Sequence, residues 1–373
     1  MKDDRALKAF LDYYRTEKAH LEKEQKAYNR QLRKEKNLIL KTFKNDLADM
    51  NEGGKLLRGM LVDLGYRIAG GKNPGKSDDL ALAFEIFQTA VLVHDDIIDH
   101  AETRRGKLTI HRRYEHRLHV RGLQAAAGEA NEDVANAAAL CVGDIGLYLA
   151  NMKLAEGYAD HPNFGKLLTY FDEVILNTMR GELLDVVLPY ELQDEIYSEE
   201  ERKALLEKSV GDIYRLKTAH YSIVGPLHLG MMLAGASDAD LRAADRFAED
   251  VGVAFQIMDD ILGIYAEPET LGKDVGSDIS EFKQTILWMY VRTRCPEYTE
   301  KLLQYYGKPE ITEEDLEQVR EIFRESGALA YAKDSMNACF KRAGGKLSRM
   351  KFLSDEDREI MRGFLVYLQG RRK

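Results

Sequence analysis

SDDLALAFEIFQTAVLVHDDIIDHA, residues 77–101, runs from Ser77, a candidate helix cap, through an apolar stretch into three aspartates. Ser77 followed by Asp78 and Asp79 reads as a helix start, since a serine hydroxyl and early carboxylates suit the free N–H groups there. Towards its C-terminal half the segment is apolar on nearly every side. Such a helix belongs at the centre of a protein, wrapped by other helices. Segments with helical spacing surround it. Residues 3–50 place Leu7, Phe10, Leu11 and Tyr14 on one face, and MLVDLGYRIAGG ends on Gly70 and Gly71. Further helices are expected over 135–158, 164–188, 199–216, 217–234 and around 240–264. Residues 114–136 read as a loop with some helix. No alternating strand pattern and no fixed-period repeat occurs. The expectation is one all-α domain over 1–373, with N-terminal helices over 1–50, a loop-rich insertion at 114–136 and one deep central hydrophobic pocket.

Composition agrees. The chain is 45% hydrophobic and 31% charged, with only 7 prolines in 373 residues, which favours long unbroken helices. A net charge of -9 argues against a nucleic-acid partner. Cys141, Cys295 and Cys339 are widely spaced and form no metal-ligand pattern, as expected of reduced thiols. The charged N-terminus lacks the apolar core of a secretory signal, and no segment reads as a membrane span, so the expected location is cytoplasmic.

The three aspartates closing the quoted helix are costly there. Asp95 and Asp99 lie one turn apart on one face, with Asp96 beside them. Carboxylates this close raise one another's pKa and oppose the macrodipole unless a cation is bound. Hard divalent cations suit such oxygen ligands, and Mg2+ is the usual one beside phosphates. Alone, the cluster would pass for a solvated helix end. A second acidic pair, Asp259 and Asp260 in FQIMDDILG, again ends an apolar helix, and two such pairs suggest opposing acidic walls on one cavity. Basic residues complete the pattern. Lys55 and Arg58 follow two glycines in GGKLLRG (53–59), Arg104 and Arg105 follow the first aspartates, Lys217 lies in YRLKTAHY, and Lys273 and Lys283 flank the loop after the second pair. Metal-binding carboxylates plus separate cationic points describe a site for two polyanionic groups, one held through metal and one directly. GGKLLRG is not a Walker loop, because the GxxxxGK[ST] spacing is absent.

Six blocks, GGKLLRG, HDDIIDHAETRRGKLTIH, CVGDIGL, MRGELLD, YRLKTAHY and FQIMDDILGIYAEPETLGKDVGSDISEFKQT, resemble in content and order those of the trans-isoprenyl diphosphate synthases, or polyprenyl synthetases. The resemblance spans nearly the whole chain. It implies an all-α bundle around a deep hydrophobic pocket, usually homodimeric, that joins an allylic diphosphate (dimethylallyl, geranyl or farnesyl) to isopentenyl diphosphate with three Mg2+ ions. By position, Asp95 and Asp99 would ligate two ions with Asp96 in support, and Asp259 would hold the third with Asp260 nearby. Arg104, Lys217 and Lys273 would contact the allylic diphosphate. Lys55, Arg58, Arg105 and Gln88 would bind isopentenyl diphosphate, and Thr218 and Gln256 would lie near the allylic carbons. Ionisation of the allylic diphosphate, attack by the isopentenyl double bond and loss of a proton would follow, with no protein base required. His94 accordingly reads as a helix residue with a local hydrogen bond.

Two departures stand out. DDILG carries Gly263 where the third aspartate usually stands, although some active members of the family have glycine here. MRGELLD has Glu182 where many members have glutamine. Product length should be set below Asp95, with Phe87 about 12 Å and Phe84 about 16 Å along the helix. The family's aromatic stopper five residues before the first aspartate is Ala90 here, with Val91 next to it. Growth past that level to Phe87 is expected, giving a geranylgeranyl-range product of about twenty carbons or somewhat longer. The alternatives are a farnesyl diphosphate synthase and a non-catalytic regulatory subunit. A terpene cyclase would not need GGKLLRG or the paired arginines.

Overall fold

The structure is a computed structural model that describes residues 2–123, 131–266 and 275–370. Most of it is helical, and the chain divides into two compact units. One comprises residues 12–169 and 229–234. The other comprises residues 1–11, 170–228 and 235–373.

In the first unit lie most of α1 (Lys2–Leu32), α2 (Leu38–Asn51), α3 (Leu57–Ile68), α4 (Asp78–Ile98), α5 (Ile110–Val120) and α6 (Asn131–Tyr158). The quoted stretch is α4, and it is buried along most of its length, as an all-round apolar helix should be. Packing of α6 along α4 depends on small residues. The ring of His94 lies over Gly143, and Ala90 Cβ lies 2.8 Å from where a Cβ of Gly146 would stand. Leu47, Val93, Ile110 and Val142, from α2, α4, α5 and α6, share one apolar cluster. Between α4 and α5 a short hairpin pairs β1 (Thr103–Arg104) with β2 (Lys107–Leu108). Arg105 and Gly106 form its two-residue turn at φ 55 and 73, the left-handed pair that matches strand twist.

The second unit contains α7 from Tyr170 (the helix is Phe164–Glu191), α8 (Glu199–Ile213), a π-helix (Tyr214–Val224) and the start of α9 (Gly225–Leu233). It continues with α10 (Asp238–Tyr265), α11 (Ser277–Ser280), α12 (Ile286–Arg294), α13 (Pro296–Leu303), α14 (Glu313–Glu325), α15 (Ala328–Leu347) and α16 (Asp355–Gln369). Its core joins Tyr214, Ile264, Trp288 and Phe323, and Phe10 of α1 stacks near Phe364 of α16 at 5.4 Å.

Several boundaries differ from the sequence reading, among them the stretch 3–50 expected as helix, which breaks at 33–37 between α1 and α2. Residues 114–120 continue α5 and 131–136 open α6, so the loop expected at 114–136 is helical at both ends, with 124–130 outside the described residues. The helices expected over 199–216 and 217–234 are joined through the π-helix without a break. No span was expected, yet among the described residues one helix, α6, is long and apolar enough to cross a bilayer by length and composition. Core helices meet the same test.

Candidate active site

The sequence-predicted residues gather into one group in each unit. In the first unit α4 ends where Ala101 N–H donates to the Asp96 carbonyl and His100 adopts φ 50, a left-handed cap. This termination directs the chain from the aspartates into the hairpin. Arg104, on β1, comes back to the acidic cluster: its Nε and Nη2 donate to Asp96 Oδ1 at 2.7 and 2.6 Å, and Nη2 lies 3.5 Å from Asp95 Oδ2. Asp96 is 1% exposed, and burial drives its carboxyl up to about 6 despite the guanidinium beside it. Its Oδ2 is buried with no hydrogen-bond partner among the described residues.

Arg105 turns elsewhere. Its Nη1 donates to the carbonyls of Met50 and Glu52 at 3.1 and 3.2 Å, and its guanidinium lies against Gly54. Burial lowers its pKa, and the charges of Arg104 and Arg58 lower it further while that of Glu85 opposes them. Arg58 lies in the first turn of α3, and the N–H of Gly59 donates to Glu85 Oε1 at 2.8 Å. Glu85 is therefore a buried carboxylate beneath a helix N-terminus and two guanidiniums. Sequence reasoning passed over it, although a lone glutamate in ALAFEIFQ was the available signal. Lys55 is exposed, and its carbonyl accepts from the Tyr14 hydroxyl at 2.6 Å. Gln88 is half-buried on α4, two turns before Asp95. The chain-length candidates Phe84, Phe87, Ala90 and Val91 are all buried. His94 Nε2 lies 3.2 Å from the Leu140 carbonyl of α6, so the hydrogen bond reaches a neighbouring helix rather than its own.

In the second unit the backbone of Lys217, in the π-helix, lies so close to α7 that only glycine fits at 181: a Cβ there would be 2.3 Å from Lys217 N. The next turn of α7 then surrounds the ammonium, with Glu182 Oε2 at 2.9 Å and Asp185 Oδ2 at 2.6 Å. Lys283 reaches the same Asp185 oxygen at 3.4 Å. Burial alone would raise Asp185, but the two ammoniums outweigh it and bring its carboxyl down to about 2. One residue on, the Thr218 hydroxyl donates to Gln256 Oε1, and Gln256 Nε2 donates to Asp260 Oδ1 at 2.8 Å. Asp260 Oδ2 accepts from the Tyr214 hydroxyl and from Ile286 N–H. Asp260 is 3% exposed, and burial followed by the charge of Asp278 pushes it up to about 7. Both its oxygens serve protein donors, an arrangement that suits holding Gln256 and Tyr214 rather than ligating a metal. Asp259 is half-buried one position earlier. Lys273 lies outside the described residues.

Among the described residues no three His, Cys, Asp or Glu side chains already converge on one point. Mg2+ beside phosphates is commonly held by one or two carboxylates together with the phosphate oxygens. The i, i+4 carboxylates of Asp95 and Asp99, beside the unpartnered oxygen of Asp96, are donors of that kind.

The sequence profile of the family described as polyprenyl synthetase matches residues 41–323. A geranylgeranyl diphosphate synthase of Sulfolobus acidocaldarius is 28% identical over 325 residues, 86% of this chain and 88% of the relative. A geranylfarnesyl diphosphate synthase of Aeropyrum pernix is 28% identical over 326 residues, 86% and 91% of the two chains. The crystal structure of geranylgeranyl pyrophosphate synthase from Corynebacterium glutamicum, complexed with isoprenyl diphosphate and magnesium, has a TM-score of 0.80 at 24% identity and covers 100% of this chain and 99% of its own. That likeness carries the fold, and the profile match carries the kinship. This chain belongs to the polyprenyl synthetase family.

Proposed function

We propose that this chain is a prenyltransferase that condenses an allylic diphosphate with isopentenyl diphosphate, to a product of about twenty carbons or somewhat longer. One observation carries the two-substrate reading: adjacent arginines diverge, Arg104 onto the aspartates and Arg105 onto Gly54 beside Arg58. A single-diphosphate enzyme such as a terpene cyclase has no use for the second cationic point. We assign Arg104, Lys217 and Lys273 to the allylic diphosphate, and Lys55, Arg58, Gln88 and Arg105 to isopentenyl diphosphate.

Asp95 and Asp99, supported by Asp96, and Asp259 would hold three Mg2+ ions, which when bound neutralise the charge that builds on the departing diphosphate. Lys217 and Arg104 exchange their carboxylate partners for the incoming phosphate oxygens, on which negative charge grows as the allylic C–O bond lengthens. Asp260 locks Gln256, which in turn accepts from Thr218, so two polar oxygens are held ready beside the developing carbocation. The isopentenyl double bond then attacks, and the proton it sheds passes to the released diphosphate. No side chain is needed as a base, and His94 is engaged with α6.

The same reading makes the chain a homodimer. Leu140, Ile145, Tyr148 and Met152 form an exposed apolar stripe on α6, with Tyr148 73% exposed, and Leu176, Leu183, Val186 and Tyr190 form another on α7. Stripes of this kind are covered in stable assemblies. Light scattering on the purified chain checks this.

The deciding experiment incubates the purified chain with isopentenyl diphosphate and dimethylallyl, geranyl or farnesyl diphosphate in Mg2+, then sizes the products by chromatography. Turnover that EDTA abolishes is expected. A dominant fifteen-carbon product would make the chain a farnesyl diphosphate synthase, and no turnover without a partner protein would make it a regulatory subunit.

A further inference from the structure

Charge is spread unevenly along this chain. The whole carries a net charge of -9, yet of the fifteen residues 30–44 six are lysine or arginine and one, Glu35, is acidic. They form the end of α1, the turn after it and the first half of α2. Arg33 is spent on Asp49 and Glu52 at 2.7 and 3.0 Å, and Lys44 on Glu35 at 2.8 Å. Arg30, Lys34, Lys36 and Lys41 are exposed, and among the described residues none of the four pairs with a carboxylate. Between them stand Leu38, Ile39 and Leu40, 81%, 70% and 46% exposed. Single exposed leucines are ordinary, but three consecutive apolar residues on the first turn of a helix, ringed by unpaired cations, are not.

The turn is built to hold this shape. Glu35 Oε1 accepts from the N–H groups of Lys36 and Asn37 at 2.8 and 3.0 Å. Asn37 Oδ1 caps α2, accepting from the N–H groups of Ile39 and Leu40 at 3.0 and 3.2 Å. Leu47, Ala48 and Met50 are buried further along α2, so the helix is anchored there and its first turn projects. The apolar turn is thus ordered before anything binds, and little lost freedom opposes its use.

We propose that this tip docks the protein on a bilayer carrying anionic lipid. Leu38, Ile39 and Leu40 enter the headgroup boundary, while Arg30, Lys34, Lys36 and Lys41 meet the lipid phosphates. A nucleic acid would satisfy the cations and leave the apolar turn in water. A second copy meeting this tip with its own would set like charges against each other. An anionic surface with an apolar interior takes both halves of the patch. The negative remainder of the chain is repelled by that surface, which orients the protein tip first. The 14 residues of α2, about 20 Å of helix, separate the tip from GGKLLRG, and the inference does not depend on the prenyltransferase reading.

The test is co-sedimentation of the full chain with vesicles of equal parts phosphatidylcholine and phosphatidylglycerol, and with vesicles of phosphatidylcholine alone. Binding to the anionic vesicles is expected, at least about tenfold weaker on phosphatidylcholine alone. It should also weaken in about 1 M salt, where the screening length falls to about 3 Å. Lys34→Gln, Lys36→Gln and Lys41→Gln together should weaken it on the order of a hundredfold, about fivefold for each cation. Leu38→Ser with Ile39→Ser should weaken it about tenfold or more, because both side chains lose their burial. All five positions are exposed, so these variants should melt as wild type does. No binding to anionic vesicles overturns the proposal, as does equal binding to phosphatidylcholine or unchanged binding in either variant. Sedimentation velocity without vesicles supplies the remaining outcome: an assembly that wild type forms and Leu38→Ser with Ile39→Ser loses would make the tip a protein contact and overturn the proposal too.

Discussion

At Arg105 the backbone takes φ 55, a conformation that costs a non-glycine residue on the order of 1–2 kcal/mol and persists where its surroundings demand it. Here the demand is to send two neighbouring guanidiniums to different places. Arg105→Ala should therefore raise KM for isopentenyl diphosphate about ten- to hundredfold, the worth of a lost charged hydrogen bond, and leave the allylic KM nearly unchanged. Arg104→Ala should show the opposite split, and equal effects of both variants on both substrates would defeat the assignment. Glu182 offers a second test. It shares the Lys217 ammonium with Asp185, so part of the attraction that would draw Lys217 to a diphosphate is already spent on a carboxylate. Glu182→Gln should lower the allylic KM about two- to fivefold with little change in kcat, the range of a partly exposed ion pair. A higher KM would mean that Glu182 positions the lysine instead of competing for it. The chemical character of these side chains was legible from their types and spacing. Their partners were not, because a two-residue turn and a close helix contact set them, and neither leaves a periodic trace.

Helices explain what single residues do not. Apolar periodicity located α4 and α10 and placed an acidic pair near the end of each, since long periodic runs leave little ambiguity. It missed the π-helix, whose extra residue per turn has no compositional signature, and which brings Lys217 against α7 and Thr218 against Gln256. The resemblance gave Ala90 a role in product length, and the structure adds a packing role beside it. Ala90 is fully buried with its Cβ on Gly146, so its small size serves the crossing of α4 and α6 whatever the product length. Ala90→Phe should consequently destabilise the protein by about 1–3 kcal/mol through overpacking, seen as a lower Tm. Val91→Phe is the informative change for product length. It should shorten the dominant product, whereas Phe87→Ala should lengthen it. Products of unchanged length from both Val91→Phe and Phe87→Ala would remove this stretch of α4 as the ruler.

At the scale of the molecule, α1 is tied to α3 and α4 by a polar cluster remote in sequence from every candidate catalytic residue. The Tyr13 hydroxyl donates to Asp63 Oδ2 at 2.7 Å, Ser77 donates to Asp63 Oδ1 at 2.7 Å, and His20 Nε2 lies 2.9 Å from Asp78. Glu17 sits among them on α1. Burial, reinforced by the charges of Asp63 and Asp78 and opposed by His20 and Arg67, pushes its carboxyl up to about 7. In the unfolded chain the same group titrates near the ordinary glutamate value of about 4.3. Between these values the folded protein holds a proton that the unfolded chain has lost. Stability therefore falls as pH rises through that window, and the full penalty is present above about pH 7. His20 and Asp78 are also raised, by their pairing and by burial respectively, and each adds stability at low pH that is lost as pH rises. Glu17→Gln removes only the glutamate's share. It should raise Tm at pH 8 by about 2 °C or more and leave it nearly unchanged at pH 5, where Glu17 is already protonated in the fold. Melting curves of both proteins at the two pH values read this directly. An equal shift at both would mean that the glutamine acts through packing, and that the carboxylate never carried the charge which makes this seam weaken with rising pH.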